Sequence, residues 1–241
     1  MKKAFFVNGG AGRVLCAIPP LEWYQQNVDT DVVIVSEGWT DLFLTSSVRR
    51  NAYDVNHKRL FQDKLRDKEI ITLEPYRLNA YFNQKCNLIQ AFDMLINDNT
   101  EEIPDTKSFN LEISRHDQAF GYNLVKQVKQ QSGKDKIVVF QPLGSGAKRE
   151  GEFIIDDSGR SFEVKDIVSI VQELSKHAGV IMMTNVQIPV QQTMGAAIPE
   201  ANILQWMGII KMCDYFLGCD SMGQHYAHAL GKPATVVIGS T

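Results

Sequence analysis

AFFVNGGAGRVLCAIPPLEWYQQNVDTDVVIVS, residues 4–36, decides the fold class. It opens on a short apolar run that ends in Asn8-Gly9-Gly10-Ala11-Gly12. A helical pattern follows from Val14 to about Gln26, with Leu15, Ile18, Leu21, Trp23 and Tyr24 completing the apolar face. Pro19-Pro20 lies inside that pattern, so the helix either kinks there or starts later. Residues 31–36, DVVIVS, are almost continuously apolar, as expected of a strand covered on both faces. Strand, glycine loop, helix and strand make the start of a βαβ unit.

Moving outward, the signal weakens over residues 37–67. Residues 70–73 read as a short strand, 86–96 as a helix and 98–107 as a polar loop around Pro104. Residues 114–131 form a long amphipathic helix, begun by Ser114 and ended by Gly133. Then the pattern restarts. KIVVFQ, residues 136–141, is a strand, and Pro142-Leu143-Gly144-Ser145-Gly146 is its loop. Ile154-Ile155 and Ser161-Phe162 suggest a small ribbon around Asp157-Ser158-Gly159. Helices over 164–177, 200–213 and 222–230 alternate with strands over 180–183, 215–218 and 234–238. That alternation argues for a parallel sheet. The expected architecture is α/β, with two Rossmann-like domains joined near residues 131–136: an N-terminal domain over 1–132 and a C-terminal domain over 133–241. The chain closes on Ile238-Gly239-Ser240-Thr241, a strand followed by the first residues of a loop, so either the protein is unusually compact or the sequence has been cut there.

Composition bounds the function. The 241 residues carry 25 basic and 28 acidic side chains, net −3, with 8 and 10 of them in residues 136–241. Neither half supplies the positive field that nucleic-acid binding needs, so no nucleic-acid partner is expected. Cys16, Cys86, Cys213 and Cys219 are widely spaced without a CxxC pair and are expected to be reduced and mostly buried. The apolar start is too short for a signal peptide or a transmembrane segment, which makes the cytoplasm the default location.

Four glycine- or hydroxyl-rich turns lie just beyond strands. Gly9 to Gly12 precede a helix N-terminus, which favours anions, but neither GxGxxG nor GxxxxGK[ST] is satisfied, and a tight turn that binds nothing is the plainer alternative. Arg13 opposes the helix dipole there, and a bound phosphate or an acidic neighbour would compensate it. Gly144-Ser145-Gly146-Ala147-Lys148-Arg149 could clasp a diphosphate through amides and charge-assisted bonds, Lys148 being nearer the glycines; a solvated turn is the alternative. Asp220 and Ser221 either line the crevice at the end of the strand over 215–218 or simply cap the next helix. Gly239-Ser240-Thr241 is a fourth such turn. His225 and His228 fall three apart, too isolated to argue for a metal. Glu37 and Asp41 follow the second strand and could serve as a base, although loop acids are more often only solvated.

The run over residues 214–241, DYFLGCDSMGQHYAHALGKPATVVIGST, resembles the C-terminal motif of the ADP-heptose:lipopolysaccharide heptosyltransferase family, glycosyltransferase family 9. Loosely, that motif is D-[ST]-G-x-x-H-x-A-x-A-x-G-x-P, a strand and G-x-T. Asp220, Ser221, His225, Ala227, Ala229, Gly231, Pro233, Gly239 and Thr241 fall on it, with Met222 in the usual glycine position and Gly223 next. GGAGRVLCAIPPLEW is similar to the family's G-x-x-G-D-x-[LV]-x-x-x-P-x-L through Gly12, Leu15, Pro19 and Leu21. Residues 141–149 are similar to its P-G-x-x-x-x-K-R, with Lys148 on the lysine that contacts phosphate.

The resemblance implies a GT-B fold whose two domains face a cleft, with an acceptor-side N-terminal domain and a nucleotide-sugar-binding C-terminal one. It implies an inverting, metal-independent sugar transfer from a nucleotide sugar, ADP-heptose by family, to a glycan, lipid-linked glycan or protein acceptor. No tightly bound cofactor is expected. The donor would be held by Gly12, Ser145, Lys148, Asp220, Ser221, Gly223, His225 and Thr241. The family's base is the aspartate of its N-terminal G-D pair, a position taken here by Arg13, which cannot accept a proton at ordinary pH. Glu37 or Asp41 would have to replace it. The alternatives are another sugar-nucleotide enzyme such as an epimerase, or an inactive nucleotide-sugar-binding protein.

Overall fold

The structure, a computed structural model, describes residues 2–151, 153–188 and 195–239. The chain divides into two compact α/β units, Met1–Glu112 and Ile113–Thr241, each built on a parallel sheet. The division falls before the long helix, not after it as the sequence reading placed it.

The first unit begins with β1 (Lys2–Val7), α1 (Ala11–Asn27), β2 (Val33–Ser36) and β3 (Ala52–Asp54), and continues through β4 (Lys68–Thr72), α2 (Asn79–Phe82) and α3 (Leu88–Ile96). Its four strands run parallel in the order β3-β2-β1-β4. Every residue of β2 is buried, as its unbroken apolar run requires. α1 starts at Ala11 and passes through both prolines, so the later start is not taken. Its Tyr24 packs edge-on against Phe5 of β1 at 5.0 Å, whereas Trp23 points outward at 40% exposure and does not join the apolar face. Between β2 and β3, where periodicity is weak, the chain forms the short 3-10 turns Thr40–Thr45 and Ser47–Arg50. Such turns carry too few residues to show a period.

The second unit runs α4 (Arg115–Ser132), β5 (Ile137–Gln141), β6 (Lys148–Glu150), β7 (Phe153–Ile155), α5 (Val164–Ser175) and β8 (Gly179–Met182). It continues through α6 (Ile203–Met212), β9 (Tyr215–Cys219), α7 (Met222–Ala229) and β10 (Ala234–Val237). Strands β10-β9-β5-β8 form the parallel sheet, with the fully buried β5 inside it. Ser114 caps α4 by accepting the Asp117 N–H at 3.1 Å, and Gly133 closes it with a φ of 66°. A β-carbon on Gly121 would lie 2.3 Å from the Gly208 carbonyl oxygen, and one on Gly208 would lie 2.1 Å from that of Asp117. The backbones of α4 and α6 therefore touch, which ties α4 to the second unit. The small ribbon also differs from expectation: β7 pairs antiparallel with β6, and Ser161-Phe162 is no part of it.

In both sheets the strand order reverses direction beside the first strand, between β1 and β4 in one and between β5 and β9 in the other. Open α/β sheets bind ligands outside the carboxyl ends of strands at such points.

Candidate functional site

At the second reversal, β5 ends on Gln141, which is 7% exposed. Its Oε1 accepts the Gly223 N–H at 2.9 Å and its Nε2 donates to the Leu143 carbonyl at 3.4 Å. One buried carboxamide thus joins the loop after β5 to the first turn of α7. Only glycine fits at 223, because a β-carbon would sit 2.4 Å from that Oε1 and 2.5 Å from the Phe216 ring. Asp220 follows β9 and accepts from Gln224 Nε2 through Oδ1. Ser221 is the N-cap residue of α7, yet its side chain makes no capping bond, so the capping alternative fails for its hydroxyl. The half-buried His225 has its pKa lowered by burial, against the pull of Asp220 and with a push from His228, which favours the neutral ring. Burial raises the Cys219 thiol to about 11 and keeps it protonated.

The loop between β7 and α5, residues 156–161, completes this edge and was missed in the sequence, where Asp157-Ser158-Gly159 reads as a ribbon turn. Asp156 Oδ1 accepts the Ser158 N–H at 2.9 Å and the Ser158 hydroxyl at 2.5 Å, while Oδ2 accepts the Ser161 hydroxyl at 2.5 Å. Ser161 Oγ accepts the Gly144 N–H in turn, at 2.9 Å. Arg160 donates from Nε to Ser158 Oγ at 3.1 Å and from Nη1 to the Asp220 carbonyl at 3.2 Å. Burial raises the Asp156 pKa, but bonds from Ser158 and Ser161, with the Arg160 charge, bring it below the usual aspartate value. The legible signal was a short-chain acid followed by hydroxyls at positions two and five, the pattern of an Asx turn that closes on itself.

Gly144 and Gly146 lie against this network, since β-carbons there would be 3.1 and 2.9 Å from the Asp156 carboxylate. Gly239 lies against it too, 2.5 Å from the Gly159 carbonyl by the same measure. Ser145 is exposed, and Lys148 is an exposed residue of β6 paired with Ile155. Thr241 lies outside the described residues. A pocket of about 400 Å³ lined by Ser132, Ser175 and Gly179 lies at the other end of β8, away from these groups.

The first reversal point is different. Gly12 is buried in the first turn of α1 and Arg13 follows it. The Arg13 side chain is 9% exposed. Its Nη2 donates to the Leu73 carbonyl at 2.5 Å and lies 3.2 Å from Glu74 Oε2, while the guanidinium sits 5.0 Å from the Tyr76 ring centre. Asn8 Nδ2 donates to Glu74 Oε1 at 3.3 Å. The acidic neighbour that Arg13 required is therefore Glu74. Burial raises the Glu74 pKa, but Asn8 and Arg13 outweigh it and hold the carboxyl below the ordinary value. Glu37 is exposed at the end of β2, where its N–H donates to the Val7 carbonyl at 3.2 Å. Asp41 is exposed in the 3-10 turn Thr40–Thr45.

All four cysteines are thiols and none is in a disulfide. Among the described residues no group of three or more His, Cys, Asp or Glu side chains is placed to hold a metal ion. No described helix is long and apolar enough to cross a membrane.

Two parallel-sheet α/β units in one chain define a GT-B-like fold. The chain is similar to Escherichia coli ADP-heptose lipopolysaccharide heptosyltransferase II, with a TM-score of 0.65 and 13% identity over 98% of this chain and 84% of that one. It is also similar to a family 9 glycosyl transferase from Veillonella parvula DSM 2008, with a TM-score of 0.64 and 10% identity over 100% and 82%. The third is the E. coli heptosyltransferase WaaC with ADP, at 0.56 and 10% over 100% and 88%. No family model and no curated protein matches the sequence. The shared property is the fold.

Proposed function

We propose that the protein is a glycosyltransferase that takes its sugar from a nucleotide-sugar donor held at the carboxyl ends of β5 and β9. The observation that carries this reading is the wired edge of the second unit, where Gln141, Gly144, Gly223 and Asp220 meet at the strand-order reversal of a GT-B-like chain. Gly144 and Gly223 spend their N–H groups within the protein, so backbone amides beside them in the loop after β5 and at the start of α7 would meet a diphosphate, and Lys148 adds charge from the ribbon. Asp220, Ser221 and His225 stand where the sugar and phosphates would lie, with Gly223 allowing close approach. The acceptor hydroxyl attacks the anomeric carbon, its proton passes to a base, and the bond from that carbon to the diphosphate oxygen breaks. The electron pair leaves on the diphosphate, where fixed donors stabilise the developing charge. Displacement from the opposite face inverts the anomeric centre. Glu37 or Asp41 takes the proton, and an ADP-heptose is the first donor to test.

One observation favours a second reading, a protein that binds nucleotide sugar without transferring it. Arg13 is committed to Leu73 and Glu74 and cannot act as a base. The test is a calorimetric and thermal-shift titration with ADP-, GDP-, UDP- and CDP-sugars, using wild type and Lys148→Ala. A ligand that binds only the folded form raises the melting temperature by mass action. Preference for one nucleotide sugar, weakened in the variant, is the expected result; consumption of that donor separates transferase from binder. Stabilisation by none of the panel removes the donor site.

A further inference from the structure

We infer that Arg160, mounted on the loop over 156–161, is the fixed cation that selects a diphosphate at this site, and that Asp156 is its positioning residue. This rests on the donor-site reading above and extends it to residues that the sequence motifs do not reach.

The two candidate cations are mounted differently. Lys148 is an exposed side chain on a two-stranded ribbon, and an ammonium on a four-carbon stem loses much freedom when it is held. Arg160 is half-buried, and two of its three guanidinium nitrogens are already tied, Nε to Ser158 and Nη1 to the Asp220 carbonyl. Its Nη2 has no partner among the described residues. The group is therefore oriented before a ligand arrives, and the ordering cost has been met in folding.

Its surroundings fit an anion with two phosphates. The Asp220 carbonyl that holds Arg160 belongs to the loop leading into α7, while Ser158 joins it to Asp156 and onward through Ser161 to the Gly144 amide. The loops after β5 and β9 are thereby fixed to one carboxylate. Gly144 and Gly146 touch that carboxylate, which is why neither can carry a side chain freely. Asp156 accepts three hydrogen bonds and carries the countercharge to Arg160, so it orders the loop without itself facing a ligand. Beyond those two bonds Arg160 has N–H groups left on Nη2 and Nη1, and a diphosphate offers them oxygens on two phosphorus atoms and more negative charge than a single phosphate does.

The experiment measures dissociation constants of inorganic pyrophosphate, ADP, GDP, UDP and CDP, with AMP and UMP as single-phosphate probes, on the full chain. Wild type, Arg160→Ala, Arg160→Lys, Lys148→Ala, Asp156→Ala and Asp156→Asn are compared after circular dichroism and melting confirm folding. The expected result is that Arg160→Ala weakens diphosphate binding by about tenfold to a hundredfold, the scale of a charge-assisted bond. Single-phosphate binding falls much less, Arg160→Lys recovers part, and Lys148→Ala loses less than Arg160→Ala. Asp156→Ala weakens diphosphate binding at unchanged single-phosphate affinity, and Asp156→Asn, which keeps an acceptor oxygen, recovers part of the loss. Diphosphate affinity within twofold of wild type in folded Arg160→Ala overturns the inference and leaves the donor site standing. So does a larger loss in Lys148→Ala. Failure of every diphosphate to bind folded wild type overturns the donor-site reading and this inference together.

Discussion

Two parallel sheets in this chain reverse their strand order beside their first strand, and at each reversal an arginine stands near glycines; the two arginines do opposite things. Arg13 turns inward. It neutralises Glu74, satisfies the Leu73 carbonyl and lies over Tyr76, so the crevice between β1 and β4 is filled by the protein's own ion pair. Among the described residues Arg160 donates to a serine hydroxyl and a main-chain carbonyl, and Asp156 answers its charge through Ser158 rather than through a direct bond to the guanidinium. An arginine that touches its carboxylate has its N–H groups spent on it, whereas one bonded to neutral acceptors, with its carboxylate one residue removed, keeps N–H groups for an incoming anion. What fixes the role of a cation near a glycine turn is thus the partner that the neighbouring strand brings, and that strand lies far away in sequence.

The largest effect is expected from Gly223→Val, which drives methyl groups into Gln141 Oε1 and the Phe216 ring and should cost about 3 kcal/mol. Denaturant melts should show that loss, and calorimetry should show nucleotide-sugar binding disappearing with it. Retained binding would separate the α7 turn from the site.

Arg13→Ala comes next. It removes a bond to a main-chain carbonyl and strands Glu74, so about 2 kcal/mol of stability should go while nucleotide binding stays at the wild-type value. The pH dependence has a definite sign. Glu74 has a folded pKa below its ordinary 4.5, so its contribution is present above that value and lost as pH falls through the depressed one. The gap in melting temperature between wild type and variant should therefore be full near neutrality and shrink below pH 4.5. An Arg13 variant that lost nucleotide binding would erase the contrast between the two arginines.

The smallest stability effects belong to Glu37→Gln and Asp41→Asn, both exposed, at under about 0.5 kcal/mol each. Their value lies in turnover. One of them should lower kcat at least about tenfold, the scale of general base catalysis, with donor affinity intact. If neither changes it, the base lies elsewhere.

The sequence made the sheets readable because buried parallel strands are apolar throughout: β2 and β5 could be bounded to within a residue or two. Caps at Ser114 and Gly133 were equally plain, since capping is local chemistry. The loop after β5, Asp220 and Gly223 could be singled out as candidates because they follow strands. What was hidden depends on partners distant along the chain. The Glu74 that answers Arg13 is 61 positions on, and the carbonyl that holds Arg160 is separated from it by 60. The ribbon partner of β7 was misread because β6, KRE, has no apolar alternation to announce a strand.

The glycine contact between α4 and α6 also sets where the protein can be divided. Gly121 and Gly208 bring two main chains together with no side chain between them, so α6 is completed by a helix that precedes the first strand of its sheet. A fragment beginning at residue 113 carries that helix and retains its own seal. One beginning at 133, where the hydrophobic pattern restarts, would uncover backbone and apolar surface along α6, and a polypeptide emerging in order must keep α4 waiting until α6 has been made.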